Sequence, residues 1–544
     1  MGSAQHMSAS RRHLLSRLAI RPEWHIVFRN QNRQCVDTRE VLRLSDNAFV
    51  QQEVACGGET RYNTRGIPLA GRRNDSRETR MDLKEPLHHL AIPPTHFTKH
   101  LKFPDPAKIR IYDDTLRDGE QMPGVAFSPG QKLELATLLS EIGVHVIDPA
   151  FPAVSESDRK ALQLIVQAQK QGEIRQDIEV LAMCRSLQED IDAVVDTVTA
   201  VGAKPDDVSV LVLSTLSDLH LKYKLGKTLL RRAGQPEDTW LTRPVDYYRE
   251  QNLDLITGAI RYARQRGFSR VEFAAEDASR SDVAYGEVWA KACVAAGGTR
   301  MCFSDTCGVF TPEGVDHYIP RLVKVLGPVP MTAHFHNDFG LGAINTVRAI
   351  SHGALYAGVT ANGIGERAGN CPLHEFVMIL KMLYGVTLPG FRYDRLTELR
   401  RKIELYSGIP LQPHEPIVGE GVFKHESGIH TAAIAIHPAI YQFIAEEAVG
   451  GEQRFVFGKH SGAAAVESVL AKHTRTLREH GVEIRPDLVK QVLDRVKTLR
   501  EQMLPEKGYP EAIEHHYRHY YALGLSEERI VELALEAQTQ KKAH

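Results

Sequence analysis

The sequence lacks any apolar run close to the roughly 18 residues that a membrane-spanning helix needs. It also lacks a long basic run, and its formal net charge is only -1 at pH 7. A strongly basic surface is what attracts nucleic acids and anionic membranes. We therefore predict that the protein has no nucleic acid and no membrane among its partners.

Cysteine is scarce as well: the 544 residues include seven cysteines, and no two of them form a Cys-x-x-Cys pair. Their odd number and scattered positions argue against a disulfide framework and against a zinc knuckle. Free thiols are typical of a reducing compartment, so the cysteine pattern predicts a cytoplasmic location.

The rest of the composition, with 42% hydrophobic and 25% charged residues, is that of an ordinary globular protein. The length predicts two or three domains. Residues 1–105 are interpreted as a vector remnant (Met1 to Met7) followed by an accessory segment that is polar and rich in arginine. No function can be assigned to this segment from its sequence.

From Lys108 onward, short apolar runs rich in β-formers alternate with helical patterns, which predicts βα units and a parallel sheet. Eight such units in a stretch of roughly 275 residues match the count and length of a TIM (β/α)8 barrel, an α/β fold. The predicted strands lie at 109–114, 144–151, 178–184, 208–215, 270–276, 300–305, 331–336 and 358–363. Predicted helices include 128–142, 156–171, 254–266 and 283–296.

The chain is accordingly divided into four parts: the accessory segment 1–105, a catalytic barrel at 106–384, a connecting subdomain at 385–470 and a helical C-terminal subdomain at 471–544. In TIM barrels the reactive groups gather at the carboxyl ends of the strands. Five predicted strand ends carry polar or charged pairs. These pairs are Arg117/Asp118, Glu276/Asp277, Asp305/Thr306, His334/His336 and Glu366/Arg367.

His334 and His336 end a predicted strand at positions i and i+2, so their side chains point to the same face. Two such imidazoles can bind one metal ion together, and Asp118 at another strand end could complete a facial site with open positions. The alternative is a pair of hydrogen-bonded histidines at the rim of the barrel. The position before Asn337 and a glycine-rich turn favours the metal site.

Several further segments follow one another in a characteristic order. They are Asp-Thr-Leu-Arg-Asp-Gly-Glu-Gln (114–121), Glu-Phe-Ala-Ala-Glu-Asp-Ala (272–278), Ser-Asp-Thr-Cys-Gly (304–308), His-Phe-His-Asn-Asp (334–338), Gly-Ile-Gly-Glu-Arg-Ala-Gly-Asn-Cys-Pro-Leu (363–373), Ser-Gly-Ile-His (427–430) and Gly-Lys-His-Ser-Gly (458–462). With these motifs the chain from about 108 to 465 resembles the acetyl-CoA-dependent enzymes that condense 2-oxo acids, namely 2-isopropylmalate, homocitrate and citramalate synthases.

The resemblance implies a divalent metal ion (Mg, Mn or Zn) as cofactor and acetyl-CoA as cosubstrate. The metal ligands would be Asp118, His334 and His336, with Asn370 as a further ligand, direct or through water. Arg117 would stabilise the oxyanion that develops when the 2-oxo group is attacked. Thr306, Gln121 and Arg117 would contact the substrate.

The proton relay of the family implies three further residues here. Acetyl-CoA must lose a methyl proton to become a nucleophile, and Glu276, His430 and Tyr441 match the family's acid–base groups. In the resembling enzymes the connecting subdomain crosses to a second chain. The resemblance therefore implies a homodimer with shared active sites.

Two other functions remain open from the sequence: a hydroxyacyl-CoA lyase that would cleave by the reverse reaction with Cys371, and a barrel that binds without catalysis. The acceptor is also open. After the second strand the chain reads Asp148-Pro-Ala-Phe-Pro152, where the family usually has Glu-Val-Gly-Phe-Pro. The fourth strand, 210–216, offers no arginine for a second substrate carboxylate, which favours an apolar 2-oxo acid; His220, Lys222 or Arg185 are the other basic candidates.

Overall fold

The computed structural model describes residues 91–506 and 508–543, so the interpretation of residues 1–90 lies outside the described part. Eight parallel strands form a closed barrel in sequence order, and the eighth pairs with the first. They are β1 (Arg110–Asp113), β2 (Val146–Ala150), β3 (Glu179–Arg185), β4 (Ser209–Thr215), β5 (Val271–Glu276), β6 (Arg300–Asp305), β7 (Met331–Phe335) and β8 (Tyr356–Val359). The predicted TIM barrel is confirmed.

Helices surround the strands and continue beyond the barrel. Those between Pro129 and Tyr384 are Pro129–Ile142, Glu156–Gln171, Gln188–Thr199, Gly226–Arg232, Val245–Gln265, Val283–Ala295, Pro312–Leu326, Gly342–Ser351 and Leu373–Tyr384. Those that follow are Leu396–Ser407, Gly428–Ile436, Ala463–Lys472, Thr474–Glu479, Pro486–Gln502, Pro510–Tyr521 and Glu527–Ala543. A short helix, Thr95–Thr98, precedes the barrel, and a two-stranded sheet (Lys424–His425 with Arg454–Phe455) lies after it.

Two predicted boundaries differ from the structure by more than two residues. The helix predicted from 254 begins at Val245, because Pro244 fits just before a first turn and Tyr248 is fully buried. The eighth strand ends at Val359 rather than 363, since Ala361–Gly363 forms a tight turn in which Asn362 has a φ of 58°.

The sequence sets the helix ends by ordinary capping. Ser128 accepts a hydrogen bond from the backbone N–H of Gln131, whose side chain accepts one from the N–H of Ser128 in return. Pro129 occupies the first turn, where no N–H is needed. Such caps fix where each helix leaves the sheet, and therefore where the next strand begins.

The barrel interior is stacked in layers, with the floor closed by charge. At the amino-terminal end of the strands the guanidinium of Arg300 pairs with Glu179 at 2.9 Å and with Glu272 at 2.7 Å. Above this floor lies an apolar layer. Its members are Tyr112, Val146, Leu181, Met183, Leu211, Ala274 and Cys302. With the floor blocked by these charges, the cavity above the apolar layer is reached from the carboxyl ends of the strands.

Within the described residues, no helix has the length and apolar character required to cross a membrane.

Candidate active site

A cavity of about 350 Å³ opens at the carboxyl ends of the strands. The residues around it come from seven of the eight strands or from the loops that follow them. They are Tyr112, Asp114, Arg117, Asp118, Gln121, Met183, Leu211, Leu213, Lys224, Ala274, Glu276, Cys302, Ser304, Thr306, His334, His336, Glu366 and Arg367. Eight of the ten residues predicted for the site lie in or directly beside this cavity.

The three predicted metal ligands are brought together at one wall. Nε2 of His334 lies 3.2 Å from Oδ2 of Asp118, and Nε2 of His336 lies 3.8 Å from the same oxygen. The two Nε2 atoms are 3.3 Å apart. All three side chains are buried. Two imidazole nitrogens and a carboxylate oxygen that converge in this way suit a divalent ion.

Neighbouring groups orient these side chains. Nδ1–H of His334 donates to Oδ2 of Asp114 at 2.9 Å, which leaves Nε2 directed at the centre of the cluster. Nδ2 of Asn370 donates to Asp118 at 2.6 Å, while its Oδ1 is buried without a hydrogen-bond partner. Gly369 precedes Asn370 with a φ of 84°, and a side chain there would collide with the carbonyl oxygen of Gly363. Glycine therefore permits the backbone turn that places Asn370 beside Asp118. The unpartnered oxygen of Asn370 is free for a further ligand interaction.

The charges of the cluster favour a cation at its centre. Burial would raise the pKa of Asp118, but Arg117, His334 and His336 hold that pKa well below its usual range. Burial would likewise lower the pKa of His334, yet the carboxylates of Asp114 and Asp118 raise it to about 10. The pKa of His336 falls to about 4 through burial and the charge of His334. The residues present therefore fit the divalent ion that the family resemblance implies.

Arg117 lies between three carboxylates. Its Nε donates to Asp148 at 2.7 Å and one terminal nitrogen donates to Asp114 at 3.0 Å, while the other lies 3.6 Å from Asp118. Burial raises the pKa of Asp148 to about 7, although Arg117 opposes the rise. Asp114 and Asp148 were not predicted as site residues. Asp148 was noted only as a departure from the family pattern, and the strand register that turns both side chains inward is the signal that could have found them.

Glu276 ends β5 on the opposite side of the cavity. Nζ of Lys224 donates to both of its carboxylate oxygens at 2.6 Å, and Nδ1 of His220 lies 3.7 Å away. Burial raises the pKa of Glu276, but the nearby imidazole of His220 and the hydrogen-bonded ammonium group of Lys224 outweigh this effect and hold the pKa below its usual range. Lys224 was not predicted as a site residue, because it lies in the insertion after β4 rather than at a strand end.

Thr306 and Gln121, for which the family resemblance implies substrate contacts, both line the cavity. Oγ1 of Thr306 accepts a hydrogen bond from the backbone N–H of Asp277 at 2.8 Å. Asp277 and Arg367 have φ values of 58° and 57°, and such strained backbone is typical of functional loops. Arg367 pairs with Asp338 at 2.8 Å and so is fixed beside Thr306.

His430 and Tyr441 lie apart from the cavity of their own chain. Their ring centroids are 4.2 Å apart, His430 is exposed, and 49% of Tyr441 is exposed. The structure therefore brings these two residues to each other but not to Glu276.

Cys371, on which the lyase alternative depends, is fully buried and does not line the cavity. Burial raises the pKa of its thiol to about 12. A thiol in this position is a packing group and not a nucleophile.

Comparison with known proteins agrees with this geometry. A family model described as HMGL-like matches residues 108–403, more than half of the chain. A second model, described as homocitrate synthase post-HMGL domain-like, matches residues 417–503. The chain belongs to the HMGL-like family.

Curated relatives place it near the synthases of that family. Homocitrate synthase AksA of Methanopyrus kandleri is 38% identical over 73% of this chain and 89% of the relative. A probable 2-isopropylmalate synthase of Ignicoccus hospitalis is 39% identical over 72% and 88%, respectively. The 2-isopropylmalate synthase of Sulfolobus acidocaldarius is 37% identical over 72% and 91%.

Among solved structures, a hydroxymethylglutaryl-CoA lyase of Pseudomonas aeruginosa has a TM-score of 0.42 and 18% identity, over 57% of this chain and 95% of that chain. A likeness at this level carries no argument about the reaction. The sequence-based prediction of a condensing synthase is confirmed for the enzyme class, over the lyase alternative.

Proposed function

We propose that the protein is a metal-dependent acyltransferase that condenses acetyl-CoA with a 2-oxo acid to give a 2-substituted malate and CoA. The observation that carries this proposal is the convergence of Asp118, His334 and His336 on the wall of a cavity at the carboxyl ends of the barrel strands. A bound divalent ion supplies Lewis acidity that polarises the 2-oxo group of the acceptor.

Asp118, His334 and His336 would hold a magnesium, manganese or zinc ion, with Oδ1 of Asn370 as a further direct or water-mediated ligand. The mixed nitrogen and oxygen donors are compatible with each of these metals. Asp114 keeps His334 in the tautomer that directs Nε2 inward, since its carboxylate accepts the Nδ1 proton.

Arg117 would stabilise the negative charge that develops on the 2-oxo oxygen, because a buried guanidinium beside the ligands is already oriented. Its pairing with Asp114 and Asp148 already fixes the side chain, so the guanidinium group does not have to be ordered during the reaction. Thr306 and Gln121 would hold the carboxylate of the acceptor at the mouth of the cavity.

Glu276 would take part in removing the methyl proton of acetyl-CoA. Its depressed pKa keeps it ionised at neutral pH, so it can accept a proton or orient a stronger base. His430 and Tyr441 would complete the relay from a second chain, which makes a homodimer with shared active sites part of the mechanism. Their exposure and mutual contact support a role at such an interface.

The acceptor is proposed to be a 2-oxo acid with an apolar side chain. The inner wall of the cavity away from the metal ligands is apolar. It consists of Met183, Leu211, Leu213, Ala274 and Cys302.

Of the basic residues considered for a second substrate carboxylate, Arg185 pairs with Asp190 at 2.8 Å and Lys222 donates to the carbonyl of Arg243. His220 faces Glu276, and Lys224 is the one cation from the insertion that lines the cavity. The ammonium group of Lys224 is already paired with the carboxylate of Glu276, so it is not available to bind a second carboxylate of the substrate. A dicarboxylic acceptor is therefore less favoured than an apolar one.

The boundaries 106–384, 385–470 and 471–544 are retained as the proposed division of the chain. A cytoplasmic location is proposed from the five cysteines of the described residues, which are free thiols; four of them are buried, namely Cys184, Cys293, Cys302 and Cys371.

The proposal is tested by measuring release of free CoA thiol from acetyl-CoA with Mg²⁺, Mn²⁺ or Zn²⁺ and a panel of 2-oxo acids. The panel contains 2-oxoisovalerate, pyruvate, phenylpyruvate and 2-oxoglutarate. Turnover with a branched or aromatic acid supports the proposal in full, and turnover with 2-oxoglutarate alone overturns the apolar acceptor. No thiol release from metal-loaded protein with any acid contradicts the condensing reaction.

A further inference from the structure

A second group of potential metal ligands lies outside the cavity. One imidazole nitrogen of His374 and one carboxylate oxygen from each of Glu375 and Glu415 all lie within 4.8 Å of one another. His374 and Glu375 begin the helix Leu373–Tyr384, and Glu415 belongs to the loop that follows Leu396–Ser407. None of the three lines the cavity described above.

His374 is buried, with 3% of its surface exposed, and its Nε2 has no hydrogen-bond partner. A buried polar nitrogen without a hydrogen-bond partner destabilises the fold, so such atoms usually have a role. Here the imidazole lies beside the carboxylates of Glu375 and Glu415, which form no ion pair with a described residue.

The protonation of the group suits metal binding. Burial and the nearby charge of Arg400 lower the pKa of His374 to about 3, so its imidazole is neutral, which is the form that binds metals. Burial and the charge of Glu415 raise the pKa of Glu375 to about 7. Burial also raises the pKa of Glu415. A cation between the two carboxylates would remove this repulsion.

Arg400 is the nearby positive charge that would oppose a metal ion. Its guanidinium forms an ion pair with Glu420 and lies 3.7 Å from Glu404. Since these two acids compensate its charge, the surroundings of the histidine and the two glutamates remain acidic overall.

We propose that His374, Glu375 and Glu415 form a second divalent-cation site, for which Zn²⁺ is the probe. Imidazole nitrogen and carboxylate oxygen are both donors that Zn²⁺ accepts, and a water would fill the fourth position of a tetrahedral site with these three protein ligands. This site is independent of the reaction proposed for the barrel.

The position of the site indicates what it does. His374 and Glu375 lie within the residues that match the HMGL-like model (108–403), and Glu415 lies in the short stretch before the second match at 417. A zinc ion here would join the last barrel helix to the loop that leads to the post-barrel segment. It would therefore stabilise the position of the chain that carries His430 and Tyr441.

The test uses the full chain with the barrel ligands removed by Asp118→Ala and His336→Ala. Zn²⁺ is titrated in competition with a chromophoric chelator, and one zinc per chain is expected to remain. Adding His374→Ala or Glu415→Gln should weaken this binding at least tenfold, while His414→Ala, an exposed neighbour in the same loop, should not.

A second measurement keeps the test independent of the folding of the barrel variants. In the chain with its barrel ligands intact, Zn²⁺ should slow limited proteolysis within 408–423, and it should not do so in Glu415→Gln. Equal zinc binding in the Glu415→Gln and His414→Ala proteins, or no zinc in the chain without barrel ligands, would overturn the proposal. Neither readout depends on turnover, so failure of the condensing reaction would be seen separately.

Discussion

The barrel and the post-barrel segment 424–455 present their proposed functional residues in opposite ways. In the barrel, Asp118, His334 and His336 are buried, and hydrogen bonds with Asn370 and Asp114 hold Asp118 and His334 in place. In the segment, His430 and Tyr441 are exposed, and their rings pack on one another. The first region builds a preorganised centre within one chain, whereas the second presents its groups at the surface and away from the cavity.

The surface around His430 and Tyr441 supports the same distinction. Apolar side chains on this segment are largely exposed: Ile429 by 75%, Ile436 by 70% and Phe443 by 58%. A cluster of exposed apolar groups is typical of a surface that binds another protein. A second copy of the chain would cover it and bring the two residues to a barrel.

The largest effect is expected in the barrel. Asp118→Ala should lower kcat/KM about 10³-fold, since losing the metal removes several kcal/mol of transition-state stabilisation. Thiol release and metal content of the purified protein measure the change. Asp487→Ala, on an exposed helix, is the matched control and should leave both quantities unchanged.

The next largest effect is expected in the post-barrel segment. His430→Ala should lower kcat by about 10²-fold or more, the usual contribution of a positioned acid or base. In contrast to Asp118→Ala, it should leave the metal content of the barrel unchanged. A matched loss of metal in both variants would contradict the separation of the two regions.

Asp114→Asn tests whether Asp114, which is not itself a proposed metal ligand, orients the ligand His334. Removing the carboxylate that accepts the Nδ1 proton of His334 should weaken metal affinity roughly 10–100-fold, with a smaller loss of activity at saturating metal. Titration of the apo-protein with Mn²⁺ measures this affinity. Unchanged affinity would show that the contact has no role in binding.

Lys224→Met tests the charge balance at Glu276. Without the ammonium group the pKa of Glu276 should rise, so a larger fraction of the carboxylate is protonated at any acidic pH. The acidic limb of the kcat/KM profile should therefore move to higher pH, with several-fold lower activity at the acidic end and little change at neutral pH. An unmoved acidic limb would mean that Glu276 does not govern that limb.

Cys371→Ala should have the smallest effect. The thiol is buried beside the ligands but does not reach the cavity, so kcat should change by less than about twofold, and stability should fall by about 1 kcal/mol for the small void. If the variant loses turnover while thermal unfolding shows that it is still folded, the alternative that the protein is a lyase using Cys371 would be supported again.

The sequence was sufficient to predict the barrel fold and the position of its polar strand ends, because hydrophobic periodicity and the residues at strand ends are local signals. The i, i+2 spacing of His334 and His336 predicted their shared face, and closure of the barrel through β8 brought Asp118, which follows β1, beside them. The contribution of Asp114 was not apparent, since its partner lies 220 residues away and only the closed barrel brings them together.

Lys224 shows a second kind of limit. It lies in an insertion without regular periodicity, so no strand or helix pattern directs its ammonium group to Glu276. For His430 and Tyr441 the family motif marked the residues, but one chain cannot show which barrel they serve. The roles of all ten predicted site residues remain predictions for experiment.

The most direct test of a shared active site is to mix two inactive proteins. Asp118→Ala and His430→Ala chains, unfolded and refolded together, should regain about one quarter of the wild-type activity, because half of the dimers are mixed and each has one intact site. Asp118→Ala mixed with Glu276→Gln should regain none, since both changes lie in the barrel. Recovery in both mixtures, or in neither while mixed dimers form, would contradict an active site built from two chains.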